Sequence, residues 1–236
     1  MPVNRADHKT ALLLFARTAR NEALEKKFLP AGTISDNYRV AGTLLEQTRQ
    51  TLGNSGYPTI ITYDTDQRGA DFNERLANAI EDVFALGYEK VISVGSDTPL
   101  LTEKHLKEAA GALNDHQMVI GPSRDGGVYL LGFTRQAYHK IRFLQLPWLT
   151  ASLQQHLVYY ADRINGNFLF LEELADVDGA TDLLQLLKEL PDNHFLYRFL
   201  LGLLQVKPVR VTTHHLPFSI RELQSALGRR GPPARA

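Results

Sequence analysis

Asp97 lies within Val91-Ile92-Ser93-Val94-Gly95-Ser96-Asp97-Thr98-Pro99-Leu100, where four mostly apolar residues, Val91 to Val94, lead through Gly95 and Ser96 into a carboxylate. An acid at the carboxyl end of a buried parallel strand lies where open α/β sheets take up ligands. There it could hold a divalent metal against phosphate oxygens, because hard cations take oxygen ligands. Pro99 turns Thr98 away from the α region, so Asp97 is expected on an irregular turn, its carboxylate free to face a cleft. The plainer alternative is an Asx turn, with that carboxylate bonded to nearby backbone N–H groups.

A second special turn reads Gly121-Pro122-Ser123-Arg124-Asp125-Gly126-Gly127-Val128-Tyr129. Paired glycines between strand-like runs permit positive φ and close backbone approach to a ligand. Asp125 could then accept hydroxyl hydrogen bonds from a sugar-like or polyol substrate. A simple hairpin explains Asp-Gly as well. Further on, Asp176-Val177-Asp178 places two carboxylates at alternate positions. They could share one metal or contact two, or Asp178 could cap the helix that follows.

Arg17, Arg20, Lys26 and Lys27 follow the first apolar run and could neutralise phosphates. They could equally form a solvated helix face, with Glu22 and Glu25 paired to the lysines. Arg68 could meet phosphate, and the helix opening at Phe72-Asn73 could offer backbone groups to a nucleobase. Asp71 capping that helix is the plainer reading. No helical His pair, Ser-centred nucleophile elbow or eight-residue phosphate loop is present.

These residues need elements to hold them. Ala11 to Ala16 reads as a buried strand, and a polar stretch joins it to a helix from about Asn37 to Thr51, capped by Ser35 or Asp36. Thr59 to Tyr63 is a second strand. Leu76, Ile80, Val83, Phe84 and Leu86 stripe the next helix, closed by Gly87. Lys90 to Val94 is a strand, and Thr102 caps a helix from Glu103 to Leu113. Met118 to Ile120 and Val128 to Phe133 are strands flanking the glycine turn. Helices are predicted at about Gln136 to Leu144, Ser152 to Ala161, Ala180 to Leu190 and His194 to Leu204, with a strand from Phe168 to Leu171. This alternation predicts an α/β fold, a mostly parallel sheet with helices on both faces. One domain over 1–206 is expected. The remainder, 207–236, reads as an extension, extended near Val209 to Thr213 and disordered in its Gly/Pro/Arg tail.

The chain has 236 residues, 44% of them hydrophobic and 22% charged, the profile of a soluble globular protein. Lys plus Arg and Asp plus Glu both number 26, so no overall basic field points to nucleic acid. The absence of cysteine removes disulfides, zinc–thiolate sites, iron–sulfur clusters and cysteine nucleophiles. No apolar run is long enough for a signal or a membrane span, and the cytoplasm is the expected compartment. A homo-oligomer is compatible with this composition.

Taken in order, several segments resemble one family: Leu13-Leu14-Phe15-Ala16-Arg17, Phe72-Asn73-Glu74-Arg75-Leu76, Gly95 to Thr102, Gly121-Pro122 with Asp125 to Gly132, Leu146-Pro147-Trp148 and Asp176-Val177-Asp178. The chain is similar to bacterial glycosyltransferases called transferase 1, radical-SAM/selenodomain-associated. These fall in the nucleotide-diphospho-sugar transferase superfamily, with the molybdenum-cofactor and phospholactate guanylyltransferases. The resemblance spans about Leu12 to Leu187. It implies a Rossmann-like, three-layer α/β/α fold with one antiparallel strand, and Mg²⁺ or Mn²⁺ on the nucleotide diphosphate. Asp97 would be the metal-binding acid and Asp178 a second. Asp125, Gly126, Gly127 and Trp148 would border the sugar or acceptor pocket, with Asp125 the candidate general base. Arg17, Lys26, Lys27, Arg68, Phe72 and Asn73 would serve the nucleotide.

The family's Pro/Gly-rich loop with a Lys-Thr-Arg-Leu run is replaced here by Arg20 to Leu29, which has no glycine or proline. Without a gap, Glu25 falls on the family's lysine, next to Lys26 and Lys27. Such a loop wraps phosphate poorly with backbone N–H groups, which favours a nucleotide-sugar donor over a triphosphate. The expectation is a metal-dependent glycosyltransferase acting on a nucleotide sugar and an acceptor. Nucleotidyl transfer from a nucleoside triphosphate to a small phosphorylated acceptor is the alternative, with a non-catalytic nucleotide-binding relative as a third.

Overall fold

The structure is a computed structural model and describes residues 9–30 and 32–204. In chain order the elements are β1 (Thr10–Ala16), α1 (Ala19–Glu25), α2 (Ile34–Asn54), β2 (Thr59–Tyr63), α3 (Phe72–Ala85), β3 (Lys90–Val94) and α4 (Glu103–Ala112). They continue with β4 (Met118–Pro122), β5 (Val128–Thr134), α5 (Lys140–Leu144), α6 (Leu153–Arg163), β6 (Phe168–Phe170), α7 (Ala180–Glu189) and α8 (Phe195–Leu203). The strands form one sheet in the order β2-β1-β3-β5-β4-β6.

Every pairing is parallel except those of β5, which runs antiparallel to both β3 and β4. The short link between β4 and β5 imposes this, because a parallel return needs a crossover of a dozen or more residues. The mixed sheet with one reversed strand is as the resemblance implied. The chain leaves β1 for β2 on one side and reaches β3 on the other, so β1 and β3 flank a topological switch point. Their carboxyl ends therefore open the crevice where such sheets bind ligands.

Alternate residues of each strand enter opposite layers. Leu13, Val91, Ile120, Leu131 and Phe133 pack with α3, α5 and α6. Leu12, Leu14, Ile92, Val94 and Val119 pack on the other face, with α2 and α4. A third cluster joins Phe28, Leu29, Val40 and Leu44 to Leu183, Leu186, Leu196 and Leu200 of α7 and α8. Burial on both faces explains why the inner strands read as unbroken apolar runs. No helix of the described residues is long and apolar enough to cross a membrane.

Several element boundaries differ from the sequence reading. α2 begins at Ile34, three residues early, because Thr33 is its cap: Thr33 Oγ1 accepts from the Asp36 N–H at 3.1 Å, and Asp36 accepts from the Thr33 N–H at 2.9 Å. The polar stretch after β1 folds into α1, too short to show an apolar stripe. The helix expected from Gln136 shrinks to the five residues of α5. The extended stretch expected at Val209 to Thr213 and the extension expected over 207–236 lie outside the described residues.

Candidate active site

Lys26 lies at the C-cap of α1, with its own N–H bonded to the Glu22 carbonyl. Its ammonium stands 2.8 Å from Glu22 Oε1, 2.8 Å from Asp97 Oδ2 and 2.8 Å from Asp178 Oδ1, and 3.3 Å from the Val177 carbonyl oxygen. An ammonium has three N–H donors, so three carboxylates saturate it. The Lys26 side chain is only 12% exposed, against 33% for Asp97 and 57% for Asp178. Burial alone would lower the lysine's pKa. The charges of Asp97 and Glu22, with hydrogen bonds to Asp178 and Asp97, reverse that and hold it above its ordinary value. Arg17 adds a second cation, Nη1 lying 3.1 Å from Glu22 Oε2.

These groups come from three elements. Asp97 follows β3 on the irregular turn that Pro99 requires, and its carboxylate meets Lys26. Asp176 to Asp178 follow β6, and the Val177 N–H donates to the Asp97 carbonyl at 2.8 Å. Asp178 does not cap α7. Gly179 is the N-cap, and Asp182 in the first turn reaches back to accept from the N–H groups of Asp178 and Gly179 at 3.0 Å, which leaves the Asp178 carboxylate for Lys26. α1 is in turn anchored to β2 through Asp64, which accepts from the Thr18 N–H at 2.8 Å and from Asn21 Nδ2 at 2.6 Å.

Asp176 is more enclosed than Asp178, and Thr98 Oγ1 donates to its carboxylate. Burial, then the charge of Asp97, push its pKa up to about 7, against the pull of hydrogen bonds such as that from Thr98. A carboxyl that changes charge near neutrality, beside a strand-tip acid, is a recurrent feature of reactive clefts.

The turn after β4 behaves partly as a plain hairpin. Asp125 is exposed and accepts from the Gly127 N–H at 2.8 Å, an Asx turn. Gly126 adopts φ +91°, and a Cβ there would lie 2.3 Å from the Ala151 carbonyl oxygen. The close approach that glycine permits is thus to this chain's own backbone. Gln154 Nε2 fastens the turn to α6 through the Ser123 and Gly127 carbonyls, both at 2.8 Å.

Other predicted site residues stand in packing or surface roles. Trp148 is buried, its indole N–H donating to the Phe143 carbonyl at 3.0 Å and its ring packed on Phe143 and Phe72. Phe72 also meets Phe15 edge-on, and Asn73 Nδ2 donates to the Leu144 carbonyl at 3.0 Å. Asp71 caps α3 by accepting from the Glu74 N–H at 2.9 Å. Arg68 grips Asp82 at 2.6 Å on the outer face of that helix. Lys27 is exposed and makes no ion pair among the described residues. The solvated face imagined for Glu22 and Lys26 is instead a buried pair. Glu22, Asp64 and Thr98 were not read from the sequence as site residues, and Asp176 stood there only as one of the Asp176/Asp178 carboxylate pair. Asp64 had a usable signal, since it directly follows a strand.

Asp97 and Asp178 offer hard oxygen donors to one point, the chemistry that Mg²⁺ or Mn²⁺ needs. Among the described residues no group of three His, Asp or Glu side chains is arranged to hold a metal. Mg²⁺ is commonly held by one or two carboxylates with phosphate oxygens and water completing its shell. In this structure the Lys26 ammonium stands at that point, 2.8 Å from each carboxylate. A groove of about 420 Å³ opens beside Pro99 to Glu103, against α2 and the start of α8.

Residues 57–150 match the family model described as "Uncharacterized protein conserved in bacteria (DUF2064)". The chain is 30% identical over 138 residues to the 2-phospho-L-lactate guanylyltransferase of Methanocaldococcus fervens, covering 56% of this chain and 60% of that one. It is also 30% identical over 78 residues to the same enzyme of Methanocaldococcus infernus, 33% of this chain and 34% of the other. The match thus spans between about a third and three-fifths of these relatives' length. A crystal structure from Desulfovibrio desulfuricans, of a protein assigned to the nucleotide-diphospho-sugar transferases, superposes with a TM-score of 0.73 at 23% identity, over 83% of this chain and 95% of that one. The chain has the α/β fold of that structure, and its sequence is similar in part to 2-phospho-L-lactate guanylyltransferases.

Proposed function

We propose that the chain is a divalent-cation-dependent transferase acting on a nucleotide, with the phosphate chain bound where Asp97, Asp178 and Lys26 meet. The observation that carries this reading is the convergence of two carboxylates and a lysine, each 2.8 Å apart from its partner, at the carboxyl edge of β1 and β3. Asp97 and Asp178 would hold the metal, which when bound offsets charge developing on phosphate oxygens. Lys26 and Arg17 supply the protein's own positive charge to the phosphates. The partial sequence similarity to guanylyltransferases favours nucleotidyl transfer: an acceptor oxygen attacks the α-phosphorus, and the bond to pyrophosphate breaks. The acceptor side remains with Asp125, Gly126 and Gly127, and Asp125 is the candidate base.

Glycosyl transfer from a nucleotide sugar is the second reading, in line with the resemblance to the radical-SAM/selenodomain-associated transferases. One observation favours it. Where a triphosphate would be wrapped by free backbone amides, the Thr18, Asn21, Glu22 and Lys26 N–H groups are already bonded within α1 or to Asp64. The two readings differ in the leaving group. Incubation with Mg²⁺, each nucleoside triphosphate or nucleotide sugar, and a panel of phosphorylated and hydroxylated acceptors should release either pyrophosphate or a nucleoside diphosphate. Release of neither with any donor would contradict the proposal.

A further inference from the structure

We propose that Lys26 is an internal stand-in for the metal: in the nucleotide-free protein its ammonium holds the position between Asp97 and Asp178, and it must leave before a divalent cation can enter. This inference rests on the reading of Asp97 and Asp178 as cation ligands. Three features support it. First, the lysine's three donors face three carboxylates at 2.8 Å, so it has none left for a phosphate. A ligand phosphate can engage Lys26 only by drawing it off at least one acid. Second, the local charges do not balance. The carboxylates of Glu22, Asp97 and Asp178 face one ammonium and one guanidinium, which leaves one negative charge in excess. Moving the ammonium onto a ligand and admitting a divalent cation removes that excess. Third, Lys26 occupies the end of α1 with extended backbone, φ −103° and ψ 129°. Its four-carbon stem can swing its ammonium without unwinding the helix.

The consequence is reciprocal coupling. Nucleotide phosphates draw Lys26 away and open the metal position, so each ligand tightens the other, and metal alone binds weakly.

Paramagnetic resonance of Mn²⁺ tests this directly. Without nucleotide, Lys26→Met should bind Mn²⁺ at least tenfold more tightly than wild type, and the added change Asp97→Asn should erase the gain. Equal affinity in wild type and Lys26→Met, or no Mn²⁺ binding by the variant, would overturn the proposal. Because Lys26→Met leaves carboxylates facing one another and can weaken folding, a second measurement uses the wild-type protein. Reductive methylation read by mass spectrometry should find Lys26 at least fivefold slower than its exposed neighbour Lys27, and faster once Mn²⁺ saturates the protein. Continued protection of Lys26 with Mn²⁺ bound would likewise overturn it. Adding GTP separates the two claims. A gain in Mn²⁺ affinity in Lys26→Met with no GTP binding to any form supports the stand-in role while removing the nucleotide reading.

Discussion

The backbone N–H of Val177 bonds to the carbonyl oxygen of Asp97 at 2.8 Å. β6 and β3, the strands that deliver these residues, are separated in the sheet by β4 and β5. The bond therefore ties the turn after β3 to the segment after β6, whose strands the sheet keeps apart, and Asp178 beside it reaches the lysine that Asp97 also holds. The site joins the end of α1 to the segments after β3 and β6, fastened by this main-chain bond and by the Asp64 side chain that holds α1.

Asp97→Asn keeps the side chain's shape and removes its charge. Turnover is expected to fall by about 100-fold or more, the scale seen when an electrostatic stabiliser is removed. Lys26 keeps Glu22 and Asp178, so the unfolding temperature should stay within about 5 °C of wild type. Parallel kinetics and thermal unfolding check both halves.

The pH dependence of stability should carry a signature from Asp176. Its folded-state pKa lies above that of the unfolded chain, so between pH 4 and 7 the native state binds more protons. Stability from this group is fully present below its unfolded value and is lost as pH rises through about 7. Asp176→Asn should flatten that decline and recover on the order of 1–2 kcal/mol at pH 8. Urea titrations of both proteins from pH 5 to 8 measure it.

Asp64 has the opposite sign. Partial burial raises its pKa, but the hydrogen bonds from Asn21 and Thr18 outweigh this and leave it lowered. Its contribution is present at neutral pH and fades as acid carries the protein below the ordinary carboxylate range. Asp64→Ala should cost about 1–2 kcal/mol at pH 7. By loosening α1 it should also raise KM for the nucleotide more than it lowers kcat.

Gly126→Ala tests the turn after β4. A methyl group there meets the Ala151 carbonyl oxygen at 2.3 Å with φ at +91°. Destabilisation of about 1–3 kcal/mol is expected from strain alone, read by chemical denaturation. Asp125→Ala removes one Asx-turn bond and should change stability far less, so an activity loss there would support its place beside the acceptor.

The sheet was legible because its inner strands are buried on both faces and read as plain apolar runs, as at Leu12 to Leu14. Asp97 was legible because Pro99 forbids an immediate helix. The start of α2 was not, since Thr33, Ser35 and Asp36 all have capping chemistry and only the reciprocal bonds choose among them. Trp148 stood out by resemblance, yet its ring closes an aromatic core with Phe72 and Phe143, which local sequence does not reveal. The Glu22–Lys26 spacing of four was visible. That Asp97 and Asp178 complete the ring around the ammonium depends on β3 and β6 ending on the same edge of the sheet, a tertiary fact.

Calorimetric titration of GTP and of nucleotide sugars into the wild-type protein, with Mg²⁺ and then with chelator, tests the site most directly. Micromolar-range binding is expected, weakening at least tenfold on chelation and equally in Asp97→Asn. Nucleotide affinity indifferent both to Mg²⁺ and to the charge of Asp97 would contradict it.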